Sequence, residues 1–142
     1  MNSFSHNTPA QRIEQGADCL RFLASEVDRA GSRQVVVLCG ATLGKPGSPL
    51  IRVTEALGAR CVGVYRGVRV DSPLSAVEDA VAEVRRLHAD AIVAVGGGSA
   101  ITTARAVAIL LAEKARVQDL CTRRLGDGKL ISPKLLEPKI PV

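Results

Sequence analysis

Three short apolar runs constrain this chain more than any other feature. They are Gln34–Leu38, closed by Gly40, then Cys61–Tyr65, then Ala91–Val95, which meets Gly96 at once. In the first run the apolar residues are continuous. A strand with one wet face alternates with period two, whereas a continuous run suits a strand covered on both faces. The sequence between the runs is helix-like. Leu20, Leu23 and Val27 recur at helical spacing over Ala17–Ala30, and Gly31 is a stop signal. Ser48–Leu57 predicts a short helix ended by Gly58. Ser72 is placed to cap a third helix, with Pro73 at its first position and its end near His88. Ala76, Val77, Ala80, Val81 and Val84 share one side of that helix, and an Ala-rich helix after the third run reaches Lys114.

Helices and strands that alternate in this order call for parallel strands, right-handed crossovers and helices on both faces. The expected fold class is therefore α/β, a Rossmann-like three-layer domain with a parallel sheet. In such sheets a ligand sits beyond the carboxyl ends of the strands. Those ends carry Cys39-Gly40, Arg66-Gly67 and Gly96-Gly97-Gly98. The 142 residues suffice for one compact domain.

Composition removes several function classes. Aromatic residues are 2% of the chain (Phe4, Phe22 and Tyr65), so the core must be aliphatic and no stacking platform for nucleic-acid bases exists. Nineteen Lys and Arg against 14 Asp and Glu leave a net charge of +5. The basic residues are scattered, apart from a thin cluster at Arg116, Arg123, Arg124 and Lys129, where a nucleic-acid binder concentrates them on one face. That balance suits a phosphate-bearing small ligand and no nucleic acid. Cys19, Cys39, Cys61 and Cys121 have neither metal-finger nor C-x-x-C spacing, so free thiols in a reducing compartment are expected. The opening, MNSFSHNTPA, has no basic n-region or apolar h-region, and no uncharged apolar stretch reaches the ~18 residues of a membrane span. A cytoplasmic protein without a membrane partner is the expectation, with residues 1–11 a flexible start.

Gly96-Gly97-Gly98-Ser99 carries the chemistry. A helix start presents unpaired N–H groups and a partial positive charge, and glycines let a pyrophosphate approach the backbone without Cβ clashes. Strand, glycine cluster and helix together point to a phosphate or dinucleotide ligand, although glycine clusters also serve as plain turns. Gly40-Ala41-Thr42-Leu43-Gly44-Lys45 is one residue short of a Walker loop, and Pro46 stands where that loop needs a magnesium-binding hydroxyl, so Lys45 reads as a solvated loop charge.

The stretch DAIVAVGGGSAITTARAVAILLA (90–112) resembles the signature of the iron-containing (group III) alcohol dehydrogenase family, GGGS-x-x-D-x-A-K. RIEQGADCLRFLASEV (12–27) is similar to the family's opening strand, glycine and first helix, and RQVVVLCG (33–40) to its first nucleotide-binding strand. GVRVDSPLSAVEDAVAEVRRLHAD (67–90) resembles the segment with a Pro-Asn-Pro-like turn and a long helix, and LLEPKIPV (135–142) the lead-in to the next strand. The resemblance covers most of residues 12–142 and only the family's N-terminal, nucleotide-binding half. It implies an NAD(P)-dependent oxidoreductase, often dimeric, that transfers hydride between a nicotinamide and a small alcohol or carbonyl substrate. The implied cofactor is NAD or NADP. A divalent metal, iron or zinc, is implied in a helical C-terminal domain, to which 130–142 would lead. In the family an Asp and three His hold that metal; here only His6 and His88 exist, and neither matches that motif.

Four departures from the pattern matter. Thr102 stands for the Asp of GGGS-x-x-D, a loss shared with maleylacetate reductases of the same superfamily, and Arg105 stands for the Lys. Cys39, followed by Gly40, replaces the Asp that bonds the adenosine ribose, so nothing repels a 2′-phosphate and NADP stays open. Ser72 replaces the Asn of the Pro-Asn-Pro-like turn and keeps one donor. The cofactor-binding residues implied are Gly96, Gly97, Gly98, Ser99, Thr102, Cys39, Gly40 and Ser72, with no catalytic or metal residue in this chain. Thr102 and Thr103 either touch phosphate or cap the helix. Arg66 and Arg69 read as solvated loop arginines, with a 2′-phosphate contact as the other reading. Rival readings of the whole are a non-catalytic nucleotide- or partner-binding module, and the maleylacetate reductase or polyol dehydrogenase branch.

Overall fold

The structure, a computed structural model, describes residues 12–142. The expected flexible start at 1–11, with His6, lies outside the described residues. Three parallel strands form the sheet: β1 (Val35–Gly40), β2 (Cys61–Val68) and β3 (Ala91–Val95), in the order β2-β1-β3. Val37 lies beside Val64 on one flank and Val93 on the other. The helices are α1 (Leu23–Arg29), α2 (Leu50–Leu57), α3 (Leu74–Arg86), α4 (Gly98–Glu113) and the single turn α5 (Val117–Leu120). A small antiparallel pair, β4 (Arg123–Arg124) with β5 (Leu130–Ile131), follows.

The continuous apolar run of β1 has the meaning expected of it. Val35 through Cys39 are all fully buried. Side chains alternate across a strand, so Val36 and Leu38 enter one core and Val35, Val37 and Cys39 the other. The first core adds Val77, Val81 and Val84 of α3 and Ala104, Val107 and Leu110 of α4. The second adds Val27 of α1 and Leu50, Val53 and Leu57 of α2. Layers α1/α2, sheet and α3/α4 make the three-layer fold. Asp90 aligns the strand starts: its carboxylate accepts from the Arg33 and Gln34 amides at 3.0 and 2.8 Å.

Several boundaries differ from the sequence expectation. Ala17–Ala30 is not one helix: a 3-10 turn, Cys19–Phe22, precedes α1. Residues 12–15, which resemble an opening strand, are irregular and exposed. β2 runs on to Val68, because Gly40 still pairs with Val68 past an irregularity in the register. Arg66-Gly67 therefore lies within the strand, and Val68-Arg69 forms its end. α3 stops at Arg86, and His88 follows it with φ +51° on the exposed surface. The expected strand start at 140–142 is no strand here, yet the Ile92 amide donates to the Pro141 carbonyl at 2.9 Å on the outer edge of β3. Lys139 pairs with Glu113 at the end of α4, which ties this tail down.

Candidate functional site

The strand order places a topological switch between β1, which is followed by β2 on one side, and β3, which is reached by crossing back over β1. Loops leaving two such strands diverge to opposite faces and open a crevice. Here the crevice is a cleft of about 620 Å³, within the range of small-ligand and cofactor sites. Its walls are Gly40–Leu43 after β1, Val68–Val70 at the end of β2, and Val95–Ala100 around the start of α4.

The glycine segment is shaped for a close approach. Gly96 has φ +145°, and a Cβ there would lie 3.2 Å from the Ala100 Cβ, so only glycine fits this bend comfortably. Gly97 and Gly98 differ: neither has a positive φ, and a Cβ on either meets nothing within 4 Å. The space they leave belongs to the cleft. α4 spans 16 residues from Gly98 and has no side-chain cap. The Ala100 and Ile101 amides turn back to the Gly97 carbonyl, at 3.0 and 3.4 Å. The Gly98 and Ser99 amides precede that first turn and have no intrahelical acceptor. Unpaired amides, the positive end of a four-turn helix and room for a ligand fit the pyrophosphate of a dinucleotide.

Ser72 anchors this helix from behind. Its Oγ donates to the Ser99 carbonyl at 3.0 Å and accepts from the Thr103 Oγ1 at 3.0 Å. Thr103 is fully buried. Asp71 and Ser72 both occupy the left-handed region, with φ +59° and +47°, a conformation that L-residues adopt at a cost. Ser72 is thus no helix cap: Pro73 takes the N-cap position of α3 without a side-chain bond, because the Ser72 hydroxyl is turned to α4.

The residues singled out in the sequence divide between cleft and interior. Gly40, Gly96, Gly97, Gly98 and Ser99 line the cleft. Cys39 does not: it is wholly buried, on the same face of β1 as Val35 and Val37, and burial pushes its thiol up while the Arg66 charge pulls the other way. It cannot offer a side chain to a ribose. Thr102 is exposed on α4 outside the cleft wall, and Thr103, not Thr102, joins the network beneath the glycines. Arg105 is exposed. Sequence reasoning missed Ala41, Thr42, Leu43 and Val70 as wall residues; their position just past strand ends was the available signal. Residues 12–142 do not fit a metal centre: no three of their His, Cys, Asp or Glu side chains gather in one place. No helix among them is long and apolar enough to cross a membrane.

Comparison with known proteins agrees with this architecture. The profile of the family described as iron-containing alcohol dehydrogenase matches residues 10–142. The chain belongs to the iron-containing alcohol dehydrogenase family. Among relatives of this dehydrogenase family, a maleylacetate reductase from Burkholderia cepacia is 34% identical over 109 residues, covering 77% of this chain and 30% of its own. Long-chain-alcohol dehydrogenase 1 of Geobacillus thermodenitrificans is 35% identical over 136 residues, covering 92% and 33%. The NADH-dependent butanol dehydrogenase A of Thermotoga maritima superposes with a TM-score of 0.66 at 29% identity, covering 77% of this chain and 28% of that one. A maleylacetate reductase from Agrobacterium tumefaciens does so with 0.66 at 26%, covering 77% and 30%. The chain thus spans about a third of the length of the relatives it matches.

Proposed function

We propose that this chain is the dinucleotide-binding part of an NAD(P)-dependent oxidoreductase. A bound nicotinamide would supply the hydride acceptor or donor for a small alcohol or carbonyl substrate. The share of this chain is binding and orientation. The Gly98 and Ser99 amides would hold the pyrophosphate, Gly97 and Gly98 would give it room, and Gly40 would let the adenosine half cross the end of β1. Ser72 would act only through Ser99 and Thr103, as a positioning residue. Substrate contacts and a divalent metal would belong to a helical domain that residues 130–142 would lead into. The maleylacetate reductase branch is favoured by the names of relatives such as that of B. cepacia and by Thr102 in place of the signature Asp. Four free cysteines suit a cytoplasmic location.

One observation carries the reading: a four-turn helix opens without a side-chain cap on a cleft at the switch point, behind two glycines whose Cβ positions are vacant. It also separates folding from binding. A side chain at residue 97 meets no protein atom within 4 Å and needs no positive φ, so Gly97→Val should leave Tm nearly unchanged. It would stand where the pyrophosphate belongs and weaken dinucleotide binding at least tenfold. Titration of both proteins with NADH and NADPH, with Tm measured alongside, checks this. An unchanged dissociation constant in a folded Gly97→Val variant would sink the assignment.

A further inference from the structure

The face of β2 turned to α3 carries Gly63, Tyr65 and Gly67. Each glycine leaves room for one particular side chain. A Cβ at residue 63 would lie 2.5 Å from the Leu87 Cδ1, just past the end of α3. A Cβ at residue 67 would lie 2.5 Å from the Tyr65 Cζ. The Tyr65 ring therefore lies along its own strand over Gly67, and its Oη donates to the Ala76 carbonyl in the first turn of α3 at 2.9 Å. α3 is thus seated on β2 at both ends, by packing at Leu87 and by a directed hydrogen bond at Tyr65.

The bonded end leads to the cleft. The Ala76 and Val77 amides donate to the Pro73 carbonyl at 2.9 and 3.2 Å. Pro73, whose ring holds φ at −59°, joins that turn directly to Ser72. The Ser72 amide donates to the Arg69 carbonyl at 3.2 Å, and the Arg69 guanidinium donates to the Ser75 Oγ. Segment 69–76 is closed on itself in this way, and Tyr65 ties it to β2. Such a tie has a task, because Asp71 and Ser72 are both left-handed, and residues in that region keep their pose only where the surroundings hold them. Ser72 in turn bonds the Ser99 carbonyl and the Thr103 hydroxyl. An unbroken series of contacts runs from the Tyr65 phenol to the first turn of α4. Burial and the Asp79 charge raise that phenol above its ordinary 10.0, against the pull of Arg69, so the donor proton stays in place across the neutral range.

We propose that Tyr65 is a positioning residue for the dinucleotide: through Ala76 and Pro73 it holds Ser72 in its left-handed pose, and through Ser72 it sets where the Gly98 and Ser99 amides stand. Tyr65 touches no ligand itself. The proposal rests on the dinucleotide reading above.

A double-mutant cycle tests it, since a coupling is shown only by measuring one. NADH and NADPH are titrated against the parent chain, Tyr65→Phe, Ser72→Ala and the double variant, each first shown to be folded by urea unfolding. Tyr65→Phe keeps the ring and loses only the donor. It should weaken binding about three- to fivefold, within the net contribution of one hydrogen bond. In the Ser72→Ala background the same change should alter binding less than about twofold. Leu87→Val is the control for plain stability: it loosens the other end of α3, and should lower the urea midpoint while leaving both dissociation constants unchanged. Parent-like binding by Tyr65→Phe overturns the proposal. So does an equal loss in both backgrounds, or a Leu87→Val protein that loses binding as Tyr65→Phe does; the dinucleotide reading survives all three. If the parent binds neither dinucleotide, that reading falls, and amide exchange decides on Tyr65 separately. The Ala100 and Ile101 amides, which donate to the Gly97 carbonyl, should then exchange several-fold faster in Tyr65→Phe than in the parent or in Leu87→Val. Equal exchange in the parent and Tyr65→Phe overturns the proposal there too.

Discussion

Replacing Ser72 by alanine removes one hydroxyl and two hydrogen bonds together. The donor to the Ser99 carbonyl is lost, and so is the acceptor for the Thr103 Oγ1. The Ser99 carbonyl loses little, because it lies within α4 and the helix offers it another donor. Thr103 loses more, since it is fully buried, and an orphaned buried hydroxyl costs about 1–3 kcal/mol. It has one escape: Ser99 is its i−4 neighbour, and a threonine in a helix can turn back to that carbonyl. The expected loss is therefore about 1–2 kcal/mol, or roughly 3–8 °C in Tm for a chain of this size. Ser72→Gly supplies the control. It removes the same hydroxyl but relieves a left-handed φ that costs about 1–2 kcal/mol, against about 0.5–1 kcal/mol of extra freedom in the unfolded chain. Ser72→Gly should then be more stable than Ser72→Ala by about 0.5–1 kcal/mol. Urea unfolding of the three proteins reads these differences directly. Both variants should also bind dinucleotide several-fold more weakly, because the first turn of α4 loses its anchor. A Ser72→Ala protein within about 0.3 kcal/mol of the parent, or a glycine variant less stable than the alanine one, would refute the reasoning.

Two further outcomes follow from the same region. Gly96→Ala should lose about 1–3 kcal/mol by urea unfolding, because its φ of +145° is hostile to a side chain and the new Cβ would press on Ala100; equal stability would show that the bend relaxes. Burial raises both the Cys39 thiol and the Tyr65 phenol above their ordinary values, 9.0 and 10.0. Each neutral form is then favoured in the folded state, so stability is complete below the ordinary thiol value and declines as pH climbs through the raised values. Urea midpoints measured between about pH 7 and pH 11 should fall from about pH 9 upward, and Cys39→Ala should lose the first part of that fall. A parent protein with flat stability across this range contradicts the burial.

Much of the fold was legible because its signals are local. Three short apolar runs, glycine stops and helical periodicity are read within a dozen residues, and the fold class follows from their order. The glycine cluster was legible for the same reason. Ser72 was not: its partners lie 27 and 31 residues away, and the local pattern Ser-Pro points equally well to a helix cap. Cys39 shows the opposite error. A family correspondence puts position 39 at the ribose, yet strict alternation from Val35 and Val37 turns its side chain into the core. Thr102 and Thr103 are adjacent in sequence, and only the rotation of α4 against Ser72 decides which one is internal. The overlong first helix has a simple cause: Leu20, Leu23 and Val27 keep their inward spacing through a 3-10 turn as well as through an α-helix.

The double duty of β1 reaches beyond packing. If α3 and α4 leave, Val36 and Leu38 are stripped, and the strand that drops out takes Val35, Val37 and Cys39 from the opposite layer. Neither layer survives the loss of the other, so opening is all-or-none across the sheet, and β1 amides exchange with solvent only when the whole domain unfolds. The cleft walls hang from the ends of all three strands. No half-folded form keeps them, and a bound ligand therefore reports on, and is repaid by, the folding of the entire domain.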